Sequence, residues 1–227
     1  MKNPSKYFFL FILFIIQNGY GQQKQTLPVV GKSIPTVSFF VAADYFAPKF
    51  EDVDAVFRTI ERNYALPAGS DFKDYYSVLA GIRFAPVPQH SIQLEFGGSL
   101  FRSSPSGSLG EGRSASFIHM YYAGGTYLYS FPVGAVDILL GCGLGYVGLN
   151  AERTYQGQSG VAQVNAGLTQ AHAQVEVEYI DASGFSVALD GGYSFATTLF
   201  PQRAEIDFTI KGIYAGVKIG IPLIKTF

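Results

Sequence analysis

Any chemistry in this 227-residue chain has to come from three histidines, one cysteine and a thin set of charges. His90 closes the turn-like stretch PVPQH, His119 lies in FIHMYY, and His172 lies in AHAQVEVE. A histidine becomes a general base for acyl transfer or hydrolysis only with a nucleophile in hydrogen-bond reach. His119 has no serine two residues on, and His90 sits in a turn. His172 alternates with Gln174, Glu176 and Glu178, a row that reads as packed polar partners. No nucleophile–base arrangement emerges, so the chain reads as non-catalytic. Cys142 alone can build neither a disulfide framework nor a Cys/His metal set, so no cofactor or metal is expected. GLGYVG (Gly143–Gly148) carries the glycines of a phosphate loop, but its alternation is that of a strand and no helix follows it. With a net charge of −1 the chain offers no basic surface for nucleic acid.

The remaining charges fall on alternate positions, which decides what must hold them. In GFSVALDGGYSF, residues 184–195, Phe185, Val187, Leu189, Tyr193 and Phe195 take one phase and Ser186, Ala188, Asp190 and Ser194 the other. A strand sends these phases to opposite faces. The same pattern marks strands over residues 36–46, 75–85, 91–101, 117–130, 136–149, 171–179 and 208–221, with the two faces least distinct in the first and fourth. The polar phase collects Arg83, Glu95, Asp137, His172, Glu176, Glu178, Asp190 and Lys218. In a soluble sandwich that phase would meet water; in a membrane barrel it is the inside.

The connections choose between these. Residues 86–90, 131–135 and 181–184 are short and rich in Pro, Gly or Asp, as tight turns require. Residues 47–74, 102–116, 150–170 and 198–207 are longer, and long alternates strictly with short. Eight antiparallel strands with short periplasmic turns and long outer loops give that order, whereas a sandwich has no reason to sort loops by end. Composition agrees: 48% apolar, 15% aromatic, only 15% charged, Gly 26 and Trp 0. One long connection carries a helical repeat, Phe50, Val53, Phe57 and Ile60, with acids early and Arg58 and Arg62 late. This predicts a short amphipathic helix over Phe50–Tyr64 that caps the barrel mouth or lies at the outer interface. The N-terminus, Lys2 and Lys6 before YFFLFILFII and the small residues Gly19 and Gly21, reads as a cleaved secretory signal over residues 1–21. Residues 22–34 then form a periplasmic segment, and 35–227 the barrel.

LLGCGLGYVGLN (Leu139–Asn150), preceded by YLYSFPVGAVD (Tyr127–Asp137), resembles the fifth-strand region of OmpA-like and OmpW-like eight-stranded outer-membrane barrels of Gram-negative bacteria, members of the porin family. The closing KIGIPLIKTF resembles the C-terminal aromatic signal of such proteins, although Pro222 interrupts its alternation. The resemblance implies an all-β, up-and-down transmembrane barrel in the cell outer membrane. It implies contact with outer-membrane lipid and lipopolysaccharide, recognition by the barrel assembly machinery through the strand ending at Phe227, and outer loops free to meet an extracellular partner. A lipocalin-type barrel would want apolar residues inside, and its usual Trp is absent.

Eight strands leave an interior that side chains fill. Gly141, Gly143, Gly145, Gly192, Gly212 and Gly216 are expected to make space there, Arg83 to face Glu95, and Asp190 to pair with Lys218 on the neighbouring strand. The interior is then a buried polar plug, and the role structural or loop-mediated. A narrow cation or small-solute path and a lipid-modifying enzyme are the other readings.

Overall fold

The computed structural model describes residues 35–66, 72, 75–99, 114–155, 161–198 and 207–225. The expected signal peptide, the N-terminal segment 22–34 and the terminal Phe227 lie outside them. So does most of the chain between the strands at the long-connection end.

Eight strands run β1 (Pro35–Lys49), β2 (Tyr75–Val87), β3 (His90–Ser99), β4 (Ser114–Val133), β5 (Val136–Tyr155), β6 (Val161–Ile180), β7 (Ser186–Thr198) and β8 (Thr209–Lys225). Among the described residues a single helix, α1 (Glu51–Asn63), follows β1. Each strand pairs antiparallel with its sequence neighbours, and β8 closes on β1 through a register running from Val37↔Ile224 to Lys49↔Lys211. Closure leaves no edge, the condition for a sheet to stand in lipid. The turns use residues suited to tight reversal. Gly134 (φ 64°) and Gly184 (φ 82°) adopt the left-handed conformation that side chains disfavour. At the β6–β7 turn the Ser183 hydroxyl (2.6 Å) and the Phe185 N–H (3.0 Å) both donate to Asp181 Oδ1. The hydroxyl foremost holds that carboxyl below its usual range.

The outward phase is apolar around the ring. Leu94, Phe96, Leu144, Leu189 and Ile213 are all more than 60% exposed, far too much contiguous apolar surface for a protein in water. Tyrosines and phenylalanines border this belt on both sides. Tyr127, Phe131, Tyr179 and Phe185 stand near the turns, and Tyr45, Tyr76, Tyr121, Tyr146 and Tyr193 toward the other end. These are the aromatic girdles of a membrane barrel, built without tryptophan. The phase of β7 matches the sequence reading: Leu189 is 64% exposed and Asp190 is 9% exposed.

Three strands exceed their expected lengths by six residues or more. β4, β5 and β6 each span 20 residues. That is about 65 Å of strand, which at a tilt of ~40° rises about 50 Å against an apolar band of ~25 Å. Most of the expected long connection 150–170 is therefore strand, and only residues 156–160 lie between β5 and β6. The physical reason is that alternation continues while the outer face changes solvent. Ala151, Arg153 and Tyr155 stay inside, and the outward Glu152 accepts a hydrogen bond from Gln163 Nε2 at 3.3 Å.

The interior is not uniformly polar. Its half toward the long connections holds one apolar cluster, including Phe46, Ile118, Met120, Leu149, Leu168 and Ile210, onto which Phe50, Val53 and Phe57 pack from α1 and its N-cap. The helix lies where the sequence put it and caps the mouth, the first of the two positions expected for it. Leu189→Arg should cost about 2–4 kcal/mol of unfolding free energy in lipid or micelles if Leu189 faces the membrane midplane, and Asp190→Asn much less. Urea titrations of the folded, heat-modifiable band would read both.

Candidate functional site in the barrel interior

Below the apolar cluster the lumen is crossed by charge. Glu176 on β6 is wholly buried. Its Oε1 accepts from Arg83 Nη2 on β2, on the opposite wall, at 2.5 Å, and its Oε2 accepts from Lys218 Nζ on β8 at 2.7 Å. Arg83 Nη1 donates to Glu178 at 2.8 Å, and Gln93 Oε1 accepts from both Arg83 Nη2 (3.2 Å) and Lys218 Nζ (3.4 Å). Gln93 Nε2 in turn donates to Glu95 at 2.6 Å. Glu95 also accepts from the Tyr122 hydroxyl (3.1 Å) and the Thr126 hydroxyl (3.2 Å). Thr126 has one hydroxyl proton and Glu95 can only accept, so Thr126 spends its proton on Glu95 and accepts from His172 Nε2 at 2.8 Å. His172 Nδ1 is then a bare acceptor.

The expected interior residues are thus all inside, but two pairings differ. Arg83 does not bond to Glu95: its register partner is Gln93, with Glu95 opposite Gly81, and its long guanidinium arm crosses to β6. Asp190 does not pair with Lys218. Asp190 stands opposite Gly216 and Glu176 in register, one rung from Lys218; its side chain is short, and the ammonium is drawn to Glu176. Asp137 is buried beside Glu178, its register partner across β5–β6. The expected role of the interior glycines holds except at Gly212, whose close neighbours are the backbone of Ala47 and Pro48. Gly143 gives space to the His172 ring, Gly145 to Tyr122, Gly192 to Tyr214 and Gly216 to Asp44.

A second ionic cluster, missed in the sequence, fastens α1. Arg153 on β5 is fully buried and donates from Nη1 to Glu61 (2.8 Å) and from Nε to Ser116 Oγ (2.9 Å), with Nη2 3.5 Å from Asp54. Its guanidinium lies 4.8 Å from the Phe57 ring centroid and 5.2 Å from that of Phe72. Asp54 also accepts the Phe72 N–H (3.1 Å), and Asp52 accepts the Thr209 N–H at the start of β8 (2.8 Å). The acids of the first helical turn are thereby tied to the barrel rim. Arg153 was legible only as the continuation of an inward phase (Leu149, Ala151, Arg153) through a stretch that reads as loop. Asp44, also inward, was missed because the faces of the first strand are poorly separated in sequence.

Of the histidines, only His172 is interior. His119 points outward on β4, and His90 Nδ1 lies 2.5 Å from the Tyr127 hydroxyl beside the β2–β3 turn. Among the described residues no group of three or more His, Cys, Asp or Glu has metal-site geometry.

No family model matches the chain, and no curated protein does. Solved structures do. Neisserial surface protein A superposes with a TM-score of 0.50 at 13% identity, covering 83% of this chain and 99% of that one. The fold is the eight-stranded outer-membrane barrel. The chain is also similar to Ail, the attachment invasion locus protein of Yersinia pestis (TM-score 0.47, 12% identity, 83% and 99% covered), and to a major outer membrane protein from Thermus thermophilus (0.47, 12%, 82% and 99%). At such identities the likeness is one of fold alone. The lipid-facing belt and closed ladder independently make this an outer-membrane barrel.

Two substitutions test the cross-lumen clamp. Glu176→Ala strands two buried cations and should cost about 3–5 kcal/mol. Glu176→Gln, which keeps an acceptor, should cost less. Denaturant unfolding in micelles orders them; equal small effects would mean that the clamp carries no stability.

Proposed function

We propose that this protein is a closed, non-catalytic outer-membrane barrel whose interior serves as its core and whose activity lies at the end bearing the long connections. Two sets of contacts across the lumen support the reading. The Arg83–Glu176–Lys218 bridge spans the lumen at one level, and α1, held by Arg153, covers it at another. In this reading, side chains on opposite walls that bond directly interrupt any water column between them. The extended β4–β6 wall supports an interaction role, because it lifts polar surface well clear of the membrane band. In this reading the long connections face outward toward an extracellular partner, and the belt is solvated by outer-membrane lipid and lipopolysaccharide. The C-terminal segment, β8 and the residues through Phe227, is what the assembly machinery recognises.

A non-catalytic role is supported by the histidines. The one histidine in contact with a hydroxyl inside the barrel, His172, donates to it rather than receiving its proton.

Planar-bilayer recording tests the closure. The refolded protein should give no single-channel steps, while Arg153→Ala should expose α1 to protease in intact proteoliposomes. Steps in the wild type that change in Glu176→Gln would instead make the interior a narrow cation path.

A further inference from the structure

Between the charged bridge and the apolar cluster lies a cavity of about 80 Å³. That is several times the ~10–15 Å³ that admits one water. Its lining mixes apolar side chains with Asp44, Glu95, Asp190, Tyr122 and Tyr214, and Lys218 also borders it. The carboxylates in and below it are not equally provided for. Glu176 and Glu178 are answered by Arg83 and Lys218, and Glu95 receives hydrogen bonds from Gln93, Tyr122 and Thr126. Asp44, 4% exposed, and Asp190, 9% exposed, are left over. Among the described residues neither has an ion pair or a side-chain hydrogen bond, and Oδ1 of each is buried without a partner.

These two acids stand on one rung of the wall. Asp44 on β1 and Asp190 on β7 both pair in register with Gly216 on the intervening β8. Two strand spacings separate their backbones by about 9.6 Å, and the missing side chain of Gly216 opens the space between them. A Cβ there would overlap Asp44 Oδ1. His172 and Gln174 also line the cavity, are more than nine-tenths buried, and each hold one unpartnered atom, Nδ1 and Nε2. Nδ1 is an acceptor by the hydrogen-bond logic above, so three of the four wholly unpartnered lining atoms are acceptors, while Lys218, which donates to Glu176 and Gln93, has one further N–H. Two unpaired carboxylates in a low-dielectric site are costly unless a positive charge joins them or a proton neutralises them.

We infer that this cavity is a binding site for one small monovalent cation, held between Asp44 and Asp190 across Gly216. Oxygen ligands suit a hard alkali ion, and the acceptor surplus suits an ammonium group equally, so the shared chemistry is a single compact positive charge. The site is walled by the polar bridge on one side and the α1-capped cluster on the other, and its occupancy does not depend on whether the barrel conducts.

The test refolds the full chain into micelles in potassium, sodium, ammonium or methylammonium chloride, with N-methyl-D-glucamine chloride at equal ionic strength as the control. That control removes screening as an explanation. A bound ion should raise the unfolding midpoint by about 2–4 °C over the bulky control. The salt that does so separates an alkali ion from an amine. The increment should vanish in the Asp44→Asn/Asp190→Asn variant, whose folding is checked independently by strand circular dichroism and heat-modifiable migration. Equal wild-type midpoints in all salts would overturn the inference, as would an increment that survives in the double variant. A protonated-carboxyl infrared band in the wild type in potassium chloride, lost in the double variant, would also overturn it, because a shared proton would then neutralise the pair. The wild-type arms decide the matter even if the variant fails to fold.

Discussion

The interior of this barrel is organised around one carboxylate. Glu176 has no contact with solvent and takes a cation on each oxygen, one from the opposite wall and one from a strand two places away. Burial of an ion is tolerable only where its lone pairs are all answered, and that demand fixes Arg83, Lys218 and Gln93 in turn. Gln93 must accept from both cations and passes its own amide hydrogens to Glu95, which then orients Tyr122 and Thr126. A single requirement for compensation thus propagates through β2, β3, β4, β6 and β8. Because the bonds of Arg83 to Glu176 and of Lys218 to Glu176 and Gln93 join strands that are not neighbours in the ring, the network also braces the cross-section against flattening.

The other half of the lumen solves the filling problem differently. Above the ionic layer the strands turn apolar side chains inward, which no membrane barrel needs for its outer face. That surface is covered by α1, brought in from the first connection. The helix is marginal by itself at 13 residues and has no side-chain cap. Its stability comes from Phe57 and Val53 in the cluster, and from acids that find partners on β5, β8 and the connection before β2. The interior is thus a polar layer and an apolar layer in series, with the cavity at their junction.

Most of the wall was legible in the sequence, because alternation is a backbone property that lipid on one side enforces residue by residue. The phases of β2, β3, β5, β6, β7 and β8 follow from it, while the turns follow from their Pro, Gly and Asp and the helix from its own repeat of Phe50, Val53, Phe57 and Ile60. The ends of β5 and β6 were not legible. Above the membrane the outer face becomes polar, as in Glu152 and Gln163, so the contrast that marks a strand disappears while the ladder continues. The pairings inside were not legible either. Sequence assigns a side chain to the lumen, but which oxygen an ammonium reaches depends on arm length and rung height, as the preference of Lys218 for Glu176 over Asp190 shows. An inward face that mixes phenylalanine with Asp44, as β1 does, gives the eye no reason to prefer either phase.

The position of α1 in the chain bears on how the molecule is assembled. The helix is specified immediately after the first strand, yet Glu61 meets Arg153 across 92 residues and Asp52 meets the Thr209 amide across 157. Its anchoring contacts cannot exist until the fifth strand and the beginning of the eighth are in place. During biogenesis the segment must wait, with its greasy face unsheltered or shielded by a helper, while strands that follow it are laid down. Seating of the helix and sealing of the β1–β8 seam are therefore coupled late events, and contacts of such sequence separation are slow to form.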